Sequence, residues 1–504
     1  MGIIKRQGIK STIINFAGAV IGAFSALFIY SANDGINDEI YGYAQWLYNT
    51  AFLFVPLATL GVTSLVVKYF PIFSSEDSKS YNGFLSLIWG ALSISFLLFT
   101  IIFICFKEGF YAVLEALKMN TEFLKDAEIY LLILVLLLGI LQVLTSQSSN
   151  KLRIVVPNLI QQFGFKLFLP ILVLSFAYFG FSREVFSWGM IGFFVFAALA
   201  LIIYLWRING LKLGKVKKPK KDFSFKEMVS YALFGSLNQL SNGIAFRLDA
   251  VMIPLFMHVD NVSFYVKAFL FISFIDMPAR AINQIAGPII SQAWKDHDLE
   301  NMNSVYKKAS ANLFLVGSFL FLGLWYSIPD LVNISSDPNQ FPFVETIFLL
   351  LGFSKLIDMI TSVNGSIIVY SKLYKYNFAF LVFLAVTNLC MNYYWIPREG
   401  IVGAALATAF SLFFYNLIKL IFILYNFKLH PFSVSTFKTL VLFTGIFALS
   451  FIINIEFSPL INIILKSVIV AGLFLPIAYF WNISPDLNKF FQEIKKVITT
   501  RSWN

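Results

Sequence analysis

Charge is scarce in this sequence. Asp, Glu, Lys and Arg make up 13% of its 504 residues, whereas 58% are hydrophobic. A chain with mean hydropathy +0.77 cannot hide its side chains in one soluble core, so its surface must face lipid. Cysteine is nearly missing. Cys105 and Cys390 both lie in apolar runs, which argues against a disulfide framework or a thiolate metal site. The three histidines, His258, His297 and His430, are far apart. No metal-ligand cluster, nucleophile elbow or phosphate-cradling glycine loop occurs, so enzyme chemistry finds little support. The net charge of +11 is no nucleic-acid signal, because the basic residues are spread over short loops.

What fills the chain is apolar runs, about fourteen of them, most near the ~20 residues needed to cross a bilayer. Their expected positions are 11–31, 41–67, 83–106, 128–148, 155–178, 185–206, 227–256, 263–285, 309–328, 344–368, 377–396, 402–425, 436–455 and 460–482. The fold class is therefore an all-α polytopic membrane protein. Ser11–Tyr30 follows Lys5, Arg6 and Lys10, as a signal peptide would, but no clear small-residue cleavage site comes after it; we read it as a retained first span. Loop charges alternate. One set of loops carries Lys68, Lys79, Lys151, Arg153, Lys212 through Lys221, Lys295, Lys307, Lys308, Lys372, Lys375 and Lys428; the other holds only Lys107, Lys118, Lys125, Arg183 and Arg398. Basic loops stay cytoplasmic, which puts both termini inside.

The run Lys212–Lys221 separates six spans from eight. It reads as a solvated, orienting linker that also touches anionic lipid. The expected organisation is 1–210 as an N-terminal lobe, 211–226 as the linker, 227–425 as a C-terminal lobe, 436–482 as two further spans and 483–504 as a cytoplasmic tail. In that tail Phe490, Phe491, Ile494, Val497 and Ile498 share a helical face, the pattern of a surface-lying amphipathic helix. Tyr41-Gly-Tyr43-Ala-Gln45 with Pro56 echoes Phe264-Tyr265-Val-Lys267 with Pro278. The two segments begin the second and the eighth span, an offset of six, so the halves would share one orientation, a parallel repeat.

Charges within spans are costly, roughly 2.5–3.5 kcal/mol each on insertion scales, and usually face a cavity or a partner. The candidates are Lys166, Arg247, Asp249, Lys267, Asp276, Arg280, Lys355 and Asp358. Lys355 and Asp358, three apart, share a helix face and can neutralise each other. Arg247 and Asp249, two apart, point to different faces. Lys267 and Arg280 lie near span ends, where they can snorkel. The balance is cationic, which suits an anion such as pyrophosphate. Asn15, Gln45, Gln142, Asn238, Gln239, Asn242 and Asn364 add hydrogen-bonding groups, in membranes also ordinary interhelical glue.

Asn388-Leu-Cys-Met-Asn392, Ile396-Pro397 and Gly400-Ile-Val-Gly403-Ala-Ala-Leu-Ala-Thr408 resemble the helix 11–12 segment of Wzx-like polysaccharide flippases. So do Arg247-Leu-Asp249-Ala-Val-Met-Ile and the following Tyr265. That branch belongs to the superfamily that also holds multidrug and toxic-compound extrusion transporters and the lipid II flippase. The resemblance implies two six-helix lobes around a central cavity, with two C-terminal helices appended. It implies an undecaprenyl-diphosphate-linked oligosaccharide as cargo, cationic cavity residues on the diphosphate, and proton or sodium coupling without a cofactor. It also implies the bacterial inner membrane and a downstream polysaccharide polymerase as partner. A cation-coupled multidrug exporter of the same superfamily is the alternative. Arg247, Lys166, Lys355, Lys267 and Arg280 are the cationic candidates; Asp249, Asp358 and Asp276 are the ion-coupling candidates.

Overall fold

The structure, a computed structural model, describes residues 2–32, 36–73, 83–211, 214, 224–453, 455–489 and 492. The chain is all-α. Its helices are α1 (Gly2–Ser25, prolonged by a π turn Ala26–Tyr30), α2 (Ile36–Thr59), α3 (Val62–Phe73), α4 (Phe84–Ala116), α5 (Glu122–Asp126), α6 (Glu128–Asn150), α7 (Val155–Asn158) and, after a π turn Leu159–Phe163, α8 (Gly164–Phe179). There follow α9 (Arg183–Arg207), α10 (Phe225–Phe256), α11 (Asp260–Lys295), α12 (Leu299–Ile334), α13 (Val344–Thr361), α14 (Asn364–Tyr370), α15 (Lys375–Phe427), α16 (Val434–Leu449) and α17 (Pro459–Phe480). Helix occupies most of every predicted span. The apolar face expected in the tail, Phe490, Phe491, Ile494, Val497 and Ile498, and the run Lys212–Lys221, Gly214 apart, lie outside the described residues.

Nine helices among the described residues are long and apolar enough to cross a membrane, ten if the bent pair α2 and α3 is one span. Two predicted spans are joined in α15, which continues through Pro397 and leaves helical geometry at Gly400, with φ 61°. The other three predicted spans are α10, rich in Ser, Asn and Gln; α13 with α14, which holds Glu345, Lys355 and Asp358; and the short α16. Capping sets several starts. Ser182, Ser224 and Asp298 accept from the backbone N–H of Val185, Glu227 and Asn301, and Ser433 with Thr436 forms a capping box.

The chain forms two compact units, 1–266 with 392–404, and 267–391 with 405–504. In the first, α2 packs on α6 and α10. Leu60 and Gly61 take positive φ, and α3 leaves at 62° to α2. A Cβ on Gly61 would collide with the Ala232 carbonyl, so the break and the close approach of α10 need glycine there. Ser236 Oγ donates to the Pro56 carbonyl at 2.6 Å, satisfying one of the carbonyls that the end of α2 leaves open. Pro278, the counterpart of Pro56 in the repeat, sits instead in a helix that continues to Lys295. In the second unit α12 is central, with α13, α16 and α17 against it. Phe321, Phe348, Phe353, Phe443 and Phe447 interlock there at ring separations of 5.1–6.2 Å.

Candidate functional site

In the first unit α10 brings Arg247 to α2. Arg247 Nη1 donates to Asn49 Oδ1 at 2.6 Å, and the guanidinium lies 3.9 Å from the Phe52 ring centroid and 5.5 Å from that of Tyr48. Helical spacing explains the set: Tyr48, Asn49 and Phe52 fall on one face of α2. Tyr48 also stacks on Phe165 at 5.4 Å, the residue before Lys166. The half-buried Lys166 lies across α1, where a Cβ on Gly18 would be 3.3 Å from its Cδ. The Tyr48–Phe165 stack thus joins the α2 face that holds Arg247 to the stretch of α8 that carries Lys166.

Asp249, two residues on, turns to other elements. It is buried, accepts from Tyr265 Oη of α11 and accepts from Asn392 Nδ2 of α15 at 2.8 Å. Two donors from two other helices thus converge on one buried carboxylate, and hydrogen bonds of this kind favour its charged form.

The second unit holds a separate polar cluster. Lys355 Nζ lies 3.1 Å from Asp276 Oδ1 and 3.9 Å from Asp358 Oδ2, so its helix neighbour is joined by a carboxylate from α11. Asn416 Nδ2 donates to Asp358 at 3.2 Å, and Asn416 Oδ1 accepts from Thr361 and Asn364. Lys267 does not snorkel. It is 0% exposed, donates to the Gln340 carbonyl at 3.1 Å and sits 4.6 Å from the Phe341 ring centroid. It lies early in α11, but the Pro338–Gln340 turn folds over it and keeps the ammonium from water. The Arg280 side chain lies outside the described residues.

Sequence reasoning missed several members. Lys419 is buried, 3.1 Å from Tyr415 Oη, and Lys466 pairs with the buried Asp330 at 2.5 Å. Both lysines lie inside predicted spans, so the depth criterion applied to Lys166 would have found them. Asp330 falls just past the expected end of its span, where a charge raises no question. Asn49 and Asn416 carry no such signal, because a lone Asn in a span is commonplace glue.

Known proteins bear on the class. The profile of a family described as polysaccharide biosynthesis protein matches residues 9–294. No curated protein matches the sequence. Among solved structures, the lipid II flippase MurJ in an inward closed conformation is similar, with TM-score 0.68, 17% identity, and coverage of 94% of this chain and 100% of that one. An inward-facing multidrug resistance MATE transporter of the MOP superfamily gives 0.55, 14%, 83% and 94%. A MOP superfamily transporter from Pyrococcus furiosus, described as having a binding pocket of reverse polarity, gives 0.50, 12%, 84% and 95%. At these identities the likeness speaks to fold: an all-α, multi-pass membrane architecture of the MOP type. With the family profile spanning more than half of its residues, the chain belongs to the polysaccharide biosynthesis protein family.

Proposed function

We propose that the protein is a flippase. It moves an undecaprenyl-diphosphate-linked oligosaccharide from the cytoplasmic to the outer leaflet of the bacterial inner membrane by alternating access, for surface polysaccharide of O-antigen or capsule type. Family membership and the fold likeness to a lipid II flippase support this reading. The observation that carries it is Arg247. Its guanidinium is half-buried well inside α10, with one amino group on a neutral amide and its face on Phe52. The other N–H donors make no hydrogen bond among the described residues, and a planar fork of that kind suits diphosphate oxygens. Lys166, which follows Phe165 on α8 and lies against Gly18 of α1, supplies a second positive charge in the same unit.

In this reading the protein performs no bond chemistry and needs no cofactor. Asp276, Lys355 and Asp358 serve ion coupling: a proton or sodium ion exchanging with the Lys355 ammonium for a carboxylate would bias the transport cycle. Asp249 is the second coupling candidate. Both termini face the cytoplasm, and a polysaccharide polymerase takes the delivered cargo. A cation-coupled multidrug exporter is the second reading, favoured by the fold likeness to a multidrug resistance transporter.

The test is complementation. In cells lacking the gene, the wild type should restore surface glycan. Lys166→Ala, Arg247→Ala and Lys355→Ala should each reach wild-type membrane levels yet export none. Full export by all three sinks the proposal. Drug resistance conferred on a pump-deficient strain, with surface glycan unchanged, would establish the second reading instead.

A further inference from the structure

The first unit contains an open cleft of about 380 Å³ bounded by α3, α6, the π turn Leu159–Phe163 and α10. Seven of its eight lining residues carry a hydroxyl or an amide and none is charged; Thr63, Ser64, Gln142, Thr145, Gln161 and Gln239 form most of the wall. Some of these groups bind each other. Gln239 Nε2 donates to Thr63 Oγ1 at 3.1 Å and to Ser64 Oγ at 3.0 Å, and Gln161 Nε2 donates to Thr145 Oγ1 at 2.6 Å. Gln142 and the lining Ser146 are not used in this way, and neither side chain has a hydrogen-bond partner among the described residues. Interhelical glue therefore explains part of the wall and leaves two side chains on α6 lining the cleft without a hydrogen-bond partner among the described residues.

We infer that this cleft is a saccharide subsite for the neutral sugar portion of the cargo, an inference that rests on the flippase reading above. Polar groups at membrane depth are unfavourable unless they meet water or a polar ligand. A phosphate would call for cations and a cationic drug for carboxylates; amides and hydroxyls, each able to donate and accept, match sugar hydroxyls. A volume of 380 Å³ falls in the range of roughly 300–1,000 Å³ typical of small-ligand sites. The order along the helices agrees with the chemistry. Gln239 precedes Arg247 on α10 by about 12 Å of helical rise, and Gln161 precedes Lys166 by roughly two turns or less. Neutral hydrogen-bonding groups thus come first and cations next, as in a ligand that joins neutral sugars to a diphosphate.

The experiment uses the full-length protein in lipid nanodiscs, titrated separately with a neutral methyl glycoside, N-acetylglucosamine and inorganic pyrophosphate. Neutral saccharides should bind saturably with Kd on the order of 1–10 mM, as small fragments do. Gln142→Leu, alone and with Ser146→Ala, should weaken them about threefold to tenfold per lost hydrogen bond and leave pyrophosphate binding unchanged. Arg247→Met should do the reverse. Neither the Gln142 nor the Ser146 side chain hydrogen-bonds to any other described residue, so both variants should melt as the wild type does. Pyrophosphate binding with no saccharide binding, or with saccharide binding indifferent to the two α6 variants, overturns the subsite and spares the flippase reading. Equal loss of both probes in Gln142→Leu also overturns it. Failure of both probes on the wild type overturns the subsite together with the reading it rests on.

Discussion

Replacing Arg247 by Met should abolish export while leaving stability almost unchanged. Met keeps most of the volume over Phe52 and removes the charge. Placing an Arg within a span is unfavourable by roughly 2.5–3.5 kcal/mol. Against that stand one charge-assisted hydrogen bond to Asn49 at 2.6 Å, worth about 1.5–3 kcal/mol, and a cation–π contact at 3.9 Å worth about 0.5–1 kcal/mol. The terms nearly cancel, so the unfolding midpoint in nanodiscs should move by about 3 °C or less. A residue that close to neutral for stability is held for another purpose. Asn49→Asp offers the converse change: it conserves volume and sets a carboxylate beside the guanidinium, which should strengthen the contact and silence the site for an external anion. The assay is surface glycan per cell at matched membrane abundance, with thermal melting of the purified proteins. A fall of about 8 °C or more in Arg247→Met, with export retained, would show that Arg247 is a structural bridge. Normal export by Asn49→Asp would refute the anion-binding argument even if stability behaved as expected.

Two further outcomes follow from the geometry. Asp358→Asn keeps an oxygen for the Asn416 amide but removes one of the two carboxylates facing Lys355; reconstituted transport should slow about tenfold or more and lose its response to collapse of the ion gradient, and a gradient response equal to the wild type's would exclude Asp358 from coupling. Gly61→Ala forces a side chain into φ 74° and against the Ala232 carbonyl; a loss of about 2–4 kcal/mol is expected from left-handed strain plus overpacking, and an unchanged unfolding midpoint would show that α2 and α3 are not fixed by that contact.

The spans were legible because lipid leaves the chain little choice: every backbone polar group must be satisfied within a helix, so hydropathy alone locates the segments. Where polar residues continue a helix, hydropathy says nothing. That is why α12 begins at Leu299, beneath its Asp298 cap, and not at 309, and why the expected external loop 107–127 is largely helix, α4 reaching Ala116 and α5 covering Glu122–Asp126. Ion pairs Lys107–Glu128 at 2.7 Å and Lys125–Glu115 at 2.8 Å tie it together. The break at Leu60–Gly61 was invisible because an apolar sequence reads straight through it; only Pro56, one turn earlier, hinted at bending. Within one helix, side-chain spacing is fixed, so the Lys355–Asp358 pair and the divergence of Arg247 from Asp249 could be read directly. Asp276 beside Lys355, and Tyr265 and Asn392 on Asp249, come from other helices, and their meeting depends on packing that no local pattern encodes.

That packing also ranks the cations, which composition could only count. Lys355 faces two carboxylates and Lys466 faces the buried Asp330, and a carboxylate within ion-pair distance cancels much of the field an incoming anion would feel. Lys267 is sealed beneath the Pro338–Gln340 turn, with no exposure at all. Arg247 is held by an amide and two rings, partners that orient a cation without neutralising it. The excess of positive charge in the spans is therefore a poor guide to where an anion binds. The partner of each cation is the better one, and under the proposed flippase function it ranks Arg247 ahead of both Lys355 and Lys267 as the candidate for a diphosphate.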